Sequence, residues 1–479
     1  MGFKEYDNYD GLGLAELVRK GEVSAAELTE EAISRIEAHN PALNAVVHKA
    51  YDTARATAKS DLPDGPFKGV PFLIKDLGIK VKGMPRTDGT YFIKDDPDTE
   101  DSRLTTRYRE SGVVFLGKTN TPEFGITGTT ESARLKPCRN PWNTDHISGG
   151  SSGGAASSVA AGIVPLAHAS DGLGSIRIPA ACCGLVGMKV TRDRNPQGPH
   201  DGDRVIGFSV DHVVSRTVRD SAAMLDATAH HDPDSPYPAP PKPDSYLKEV
   251  STAPGSLRIG FYTETPSGKP IDPHIRATVE DVAKQLESLG HKVEERGLGV
   301  NYRHLYAAQR AVSGSNFAAA MHERIKRMGR QPEEHELEPL TWRNWKGSEE
   351  RLTTVDVGRG WRTLREMSRQ ILANWLEFDV MLSPVLGTSV PKIGYCDPVN
   401  QDPRTTDEHQ AKTFPFTPPY NFTGQPSLSL PLAWDDQGLP IGMQFTGRYG
   451  DEATLYRLAG QLEEARPWAD KRPPVWGSA

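Results

Sequence analysis

Residues 147–170, ISGGSSGGAASSVAAGIVPLAHAS, carry no Asp, Glu, Lys or Arg and consist mainly of Gly, Ser and Ala. This stretch constrains the fold more than any other. A bilayer span needs about 20 predominantly apolar residues, and these side chains are too small and too polar to supply one. The stretch therefore belongs inside a protein, where small residues let backbone approach backbone. Glycine and serine cluster at 149–154 and again at 172–175, with small residues at helical spacing between the two turns. Short apolar runs lie on either side: GVPFLIK at 69–75, VVFL at 113–116 and IVPL at 163–166. Such runs read as buried strands. Alternating with helices, they predict an α/β protein with a central, mostly buried mixed sheet.

Other boundaries follow from local chemistry. Ser24 and Glu27 form a capping box, Val23 and Leu28 a hydrophobic staple, and the helix they open should stop at Asn40-Pro41. Residues 229–255, rich in Pro, Asp and Ser and including His230-His231, read as a linker or long surface loop. SLRIGF at 256–261 restarts a strand, a helix runs from about Pro273 to Leu289, and His291-Lys292-Val293 starts the next strand. Residues 303–377 are helix-like and hold Trp342, Trp345, Trp361 and Trp375, which pack helices onto the core or line a substrate mouth. With 37% hydrophobic and 25% charged residues, the chain has ordinary globular composition. A net charge of −7 argues against nucleic acid as the partner, because phosphate recognition wants a basic face. Cys138, Cys182, Cys183 and Cys396 are too sparse for a disulfide scaffold, and residues 1–10 hold no apolar signal core. A cytoplasmic protein with reduced thiols and no membrane segment is expected.

Two motifs are decoys. Gly112-VVFL-Gly117-Lys118-Thr119 fits a phosphate-loop pattern, but its β-branched middle wants to be a strand rather than a loop curled around phosphate. Gly149-Gly150-Ser151-Ser152-Gly153 fits the nucleophile-elbow pattern, which needs a strand before it; residues 140–146 read instead as turn-rich. A Ser-His-Asp hydrolase remains the alternative, since 14 histidines are available. No zinc-spaced cluster is present. The sharper reading is that Asp171-Gly172-Leu173-Gly174-Ser175 can aim several amide protons at one point, as an oxyanion requires. A serine closing that loop is placed as a nucleophile. Lys75, ending a buried strand, can lose its proton by desolvation and act as the base.

The sequence resembles the amidase signature family in blocks spanning almost the whole chain, in family order. They are Gly69-Val70-Pro71 with Ile74-Lys75-Asp76, Gly117 through Phe124, Gly149 through Gly154, Ser170 through Ala180, Asn421 through Pro426, Ser429-Leu430-Pro431 and Gly438 through Gly442. The resemblance implies the amidase signature fold, a central mixed β-sheet covered by helices on both faces. It implies one domain over 1–479, with its core at about 60–225 and 410–470 and a variable helical region at about 300–380. It also implies a Ser–cis-Ser–Lys triad whose serines are 24 positions apart, as Ser151 and Ser175 are. Ser175 is then the nucleophile, Ser151 the bridging serine after a cis Gly150–Ser151 peptide, and Lys75 the base. The oxyanion hole falls to the amides of Gly172, Leu173, Gly174 and Ser175. Asp171 and Arg177 would hold the loop.

Gly172-Leu173 departs from the family pattern, where Thr-Gly is usual; Leu173 adds a side chain where the chain must turn. Its Cβ demands a negative φ, and its side chain would narrow the acyl pocket. The implied activity is hydrolysis of the C–N bond of a linear or cyclic amide, nylon-type oligomers included, with no metal and no cofactor. Urethane or aryl acylamide hydrolysis at the same site, and an amidotransferase A-type subunit, are the alternatives. The expected partner is a small-molecule amide or carbamate, and a homodimer stays open. Specificity is expected from loops 124–134 and 192–210 and from a helical insert near 305–345. Position 126 (Ile126), Gly150, Asn316 and Phe317 are the substrate-binding candidates.

Overall fold

A computed structural model describes residues 3, 5–199, 204–230, 232, 234–235, 237–265, 267, 269–300 and 302–477. Residues 200–203 of the 192–210 loop and His231 lie outside the described residues.

The first long helix, α1 (Ala25–Leu43), starts at the reciprocal Ser24–Glu27 box. Val23 and Leu28 are buried in one cluster, as a staple requires. The helix does not stop at Asn40-Pro41 but runs through Pro41 to a left-handed Asn44 cap. Pro41 sits in the last turn, so it removes one backbone bond, to the carbonyl of residue 37, and only two helical residues follow it. The Asn40 Oδ1 accepts from the Ala45 and Val46 amides and turns the chain into the sheet.

Eleven strands form the sheet: β1 (Val46–Lys49), β2 (Pro71–Lys75), β3 (Val114–Thr119), β4 (Leu166–Asp171), β5 (Val186–Lys189), β6 (Val210–Ser215), β7 (Arg258–Phe261), β8 (Lys292–Glu295), β9 (Val380–Pro384), β10 (Ser427–Trp434) and β11 (Pro440–Thr446). Their spatial order is β1-β3-β2-β4-β6-β5-β10-β11-β9-β7-β8. Pairings are parallel at β3-β2-β4 and β9-β7-β8 and antiparallel elsewhere, so the sheet is mixed. Alternation along β2 shows that both faces are covered. Leu73 enters a cluster with Ala155, Val159 and Ala180, whereas Phe72 and Ile74 enter another with Leu14 and Tyr108.

On the Leu73 face lie α2 (Gly153–Ala160) and α3 (Arg177–Cys183), both fully buried. The small-residue sequence is what permits α2 to sit there. A Cβ on Gly154 would stand 2.3 Å from the Asn120 nitrogen and 2.5 Å from the Ala45 carbonyl oxygen. The IVPL run is not a strand. The Ile163 amide bonds back to Ser158, Pro165 offers no amide, and pairing begins at Leu166. Residues 140–146 are also less turn-like than their composition suggests, since Asn143–Ile147 pairs with Arg139–Asn140. The 229–255 segment is mostly irregular, as expected. It carries one short helix, Tyr246–Val250, whose first amides and Ser245 hydroxyl donate to Asp226.

The helical region consists of α4 (Pro273–Ser288), between β7 and β8, and then α5 (Tyr302–Met328), α6 (Pro339–Arg351) and α7 (Thr354–Leu372), between β8 and β9. α8 (Pro403–Thr413) follows β9. Trp345 is buried and Trp361 packs on Phe208. Among the described residues, no helix is long and apolar enough to cross a membrane.

Candidate active site

The sheet carries Lys75 to the end of β2 with its side chain fully buried. Its Nζ donates to Ser151 Oγ at 2.7 Å and to Ser170 Oγ at 3.0 Å. Burial pushes the Lys75 pKa well below the ordinary lysine value, and the nearby Arg204 charge adds to the depression. That shift favours the neutral amine, which has two N–H bonds and one lone pair. In that neutral form, with Ser170 still accepting an N–H, the 2.7 Å contact can run the other way, the Ser151 hydroxyl donating to the lone pair.

Ser151 follows a cis peptide from Gly150, immediately before α2. The Thr121 hydroxyl donates to the Ser151 carbonyl, and the Ser152 hydroxyl donates to the Ser170 carbonyl while accepting from the Ser170 amide. These contacts tie the segment to the chain just after β3 and to β4. Ser157 donates to the Arg139 carbonyl, a packing role.

Ser175 closes the loop after β4 and precedes α3. Two buried side chains shape that loop. Asp171 accepts from the Gly174 amide (2.6 Å), the Ile176 amide (3.3 Å), Arg177 Nε and Nη2, and Asn421 Nδ2. Burial alone would raise the Asp171 carboxyl, but Arg177 outweighs it and holds the group down at about 2. Arg177 is fully buried and fully partnered, reaching Thr417 O, Gln444 Oε1 and Asn421 Oδ1 as well. The loop-holding role expected for this pair is present in full.

One expectation needs correcting. The Gly174 N–H points into the Asp171 carboxylate and is not available to an oxyanion, so the amides of Gly172, Leu173 and Ser175 remain as candidate donors. Gly174 is needed for shape instead. Its φ is +135°, and a Cβ there would stand 2.3 Å from Thr417 Oγ1. Leu173 is not among the left-handed residues, in line with its Cβ. Its carbonyl accepts from Thr417 Oγ1.

Ser151, Ser170, Gly172, Leu173 and Ser175 share one cavity of about 1200 Å³. Ile126, Asn316 and Phe317 line it, Phe317 edge-to-face with Phe124 at 5.7 Å. Gly150 does not belong with them: it lies against Thr129, whose carbonyl would be 2.5 Å from an added Cβ. Among the described residues, no histidine lines the cavity. His168 lies closest in chemistry, but both its ring nitrogens are engaged. Nδ1 accepts from the Lys75 amide, and Nε2 meets Asp211 at 3.1 Å. Burial, with Lys75 and Arg204 nearby, keeps it neutral. The Ser-His-Asp arrangement therefore finds no support here.

Sequence reasoning missed Ser170 as the second Lys75 partner, and it missed Arg204, which lines the cavity and pairs with Asp211. It also missed what Thr417 and Asn421 do. Asn421 stood only in a family block, and no spacing connects it to a loop 250 residues earlier.

The buried lysine–serine pair, the serine-ended glycine loop and the 11-stranded mixed sheet place the chain in a known class. A sequence model of the amidase family matches residues 27–456, and the chain belongs to that family, the amidase signature hydrolases that act on C–N bonds. Among curated relatives, it is 36% identical over 484 aligned residues to the 6-aminohexanoate-cyclic-dimer hydrolase of Pseudomonas sp. (strain NK87), covering 97% of this chain and 96% of that one. Its fold matches a solved 6-aminohexanoate cyclic dimer hydrolase with a TM-score of 0.92 at 35% identity, over 98% and 99% of the two chains. A bacterial aryl acylamidase matches with a TM-score of 0.88 at 27% identity, over the same shares.

Proposed function

We propose that this hydrolase cleaves a linear or cyclic amide through an acyl-enzyme on Ser175. Neutral Lys75 takes the proton of Ser151, which takes that of Ser175. Ser175 Oγ adds to the amide carbonyl, and the amides of Gly172, Leu173 and Ser175 stabilise the oxyanion. Collapse breaks the C–N bond, and Ser151 passes its proton to the leaving amine. Water, deprotonated through the same relay, then hydrolyses the ester and frees the carboxylate. The observation that carries this reading is the 2.7 Å contact between a fully buried, proton-poor lysine and a serine that shares a cavity with Ser175. Likeness to the aryl acylamidase supports anilides as accessible substrates at the same site.

The test is intact-protein mass spectrometry after mixing with a slowly deacylating p-nitrophenyl ester, alongside anilide turnover. An acyl adduct on Ser175, absent in Ser175→Ala, with turnover lost in Ser175→Ala and Lys75→Ala while the fold persists, is the expected result. Retained turnover in Ser175→Ala would overturn the assignment.

A further inference from the structure

The cavity wall is far more basic than the chain that builds it. Overall charge is −7, yet among the described residues seven arginines line the cavity against three carboxylates. The inner group surrounds Asp88 and the Lys75 end. In the outer group, Arg310 on α5 stands with Arg343 and Arg351 on α6, and Asp407 on α8 lines the cavity beside them. Arg343 Nη2 donates to Asp407 Oδ2 at 2.8 Å and Arg310 Nη1 reaches the same oxygen at 3.4 Å. Arg343 also donates to Asn344 Oδ1, but its Nε is buried with no hydrogen-bond partner. Arg351 is exposed and, among the described residues, donates to a carbonyl of its own helix, Gly347 O, at 3.3 Å. A neighbouring hollow on the same wall adds Lys269 and Arg404 against Glu408.

A wall that needed only structural pairing would match its charges. Here Arg310 and Arg343 share Asp407, Arg351 is bonded to a backbone carbonyl, and one buried N–H of Arg343 has no partner among the described residues. Guanidinium forks match the two oxygens of a carboxylate, and a cleft lined by one sign of charge concentrates ligands of the other.

We propose that Arg310, Arg343 and Arg351 form an anion subsite for a carboxylate carried by the substrate beyond its scissile amide. The preferred substrates are then linear amides that end in a carboxylate, rather than closed rings or neutral amides. Amide hydrolysis itself supplies that group, since every cleavage of an oligoamide leaves a carboxylate end. The proposal deepens the amide-hydrolase reading above and rests on it.

A matched pair tests it: adipic acid mono-p-nitroanilide, with a terminal carboxylate, and hexanoic p-nitroanilide, without one. The carboxylate substrate should have the higher kcat/KM by about tenfold at low salt, with the ratio shrinking as salt rises. In Arg343→Gln, and separately in exposed Arg351→Glu, the ratio should fall toward one. A ratio of one or less in the wild type, or an unchanged ratio in both variants, would overturn the subsite. Calorimetric binding of the two anilides to Ser175→Ala separates the two readings. Tighter binding of the carboxylate compound with no turnover of either by the wild type would count against the hydrolysis reading alone. Equal binding would count against the subsite whatever the turnover.

Discussion

Replacing Asp171 by Asn is the most informative perturbation of the nucleophile loop. The substitution keeps the shape of the side chain and removes its charge. Five donors converge on the native carboxylate, and Arg177 beside it is fully buried. Two routes give the magnitude. A carboxyl held at about 2 instead of 3.8 corresponds to about 2 kcal/mol of stability at neutral pH. Breaking a buried ion pair by removing one partner costs about 3–5 kcal/mol, because the other charge is left uncompensated. A loss of about 3 kcal/mol is therefore expected for Asp171→Asn, read as a lower urea midpoint at pH 7. The sign of the pH dependence follows from the depressed value. The contribution is complete above the unfolded carboxyl range and disappears as pH falls from about 4 toward 2, so wild type and variant should converge there. Anilide kcat/KM should fall about a hundredfold or more, because the Gly174 turn loses its anchor. Asp171→Asn combined with Arg177→Met should be less destabilised than the two single losses added together, since no buried charge is stranded. Strict additivity of the two, or a loss under about 1 kcal/mol in Asp171→Asn, would refute the account of the loop.

The depressed pKa of Lys75 predicts an acidic limb of kcat/KM well below the ordinary lysine range, with activity lost as falling pH protonates the amine; a pH–rate profile whose limb sits near 10 would contradict a depressed lysine. Leu173→Gly should widen the acyl side of the cavity and change the kcat/KM ratio of long to short acyl anilides by about fivefold or more; an unmoved ratio removes Leu173 from the specificity determinants. Burial and the neighbouring Glu123 push the Glu338 carboxyl up to about 9, so it is protonated in the folded state and costs stability as pH rises through the range where unfolded glutamate ionises. Glu338→Gln should therefore match or exceed the wild type in urea midpoint at pH 8, and a loss above about 1 kcal/mol would show that the ionised form is needed.

What could be read from the sequence was local, and what could not was assembled by the sheet. The Ser24–Glu27 box, the strand ending in Lys75 and the small-residue helix after Ser151 were legible because each is decided within a few residues. Pro41 misled because its effect depends on where in a helix it falls. Ile163 and Val164 look like a strand, but their neighbours commit the chain to a helix end. The 172–175 loop was visible as a glycine cluster. That one of its amides faces inward to Asp171 depends on Arg177, which follows the loop, and on Asn421 and Gln444, which come from a helix and a strand more than 240 residues later. The arginine wall was invisible for the same reason: 310, 343 and 407 sit on three helices, and no sequence period joins them.

The fastening of the Ser175 loop by Thr417 and Asn421 also carries a consequence for biosynthesis. Asn421 lies 250 residues after Asp171. At about 5–20 residues per second, a ribosome needs roughly 10–50 s to cover that distance. Throughout that interval the nascent chain holds Lys75, Ser151 and Ser175 without the side chains that set the loop. On the proposed mechanism, hydrolytic competence is therefore a property the polypeptide acquires only once residue 421 has been made, well after Lys75, Ser151 and Ser175.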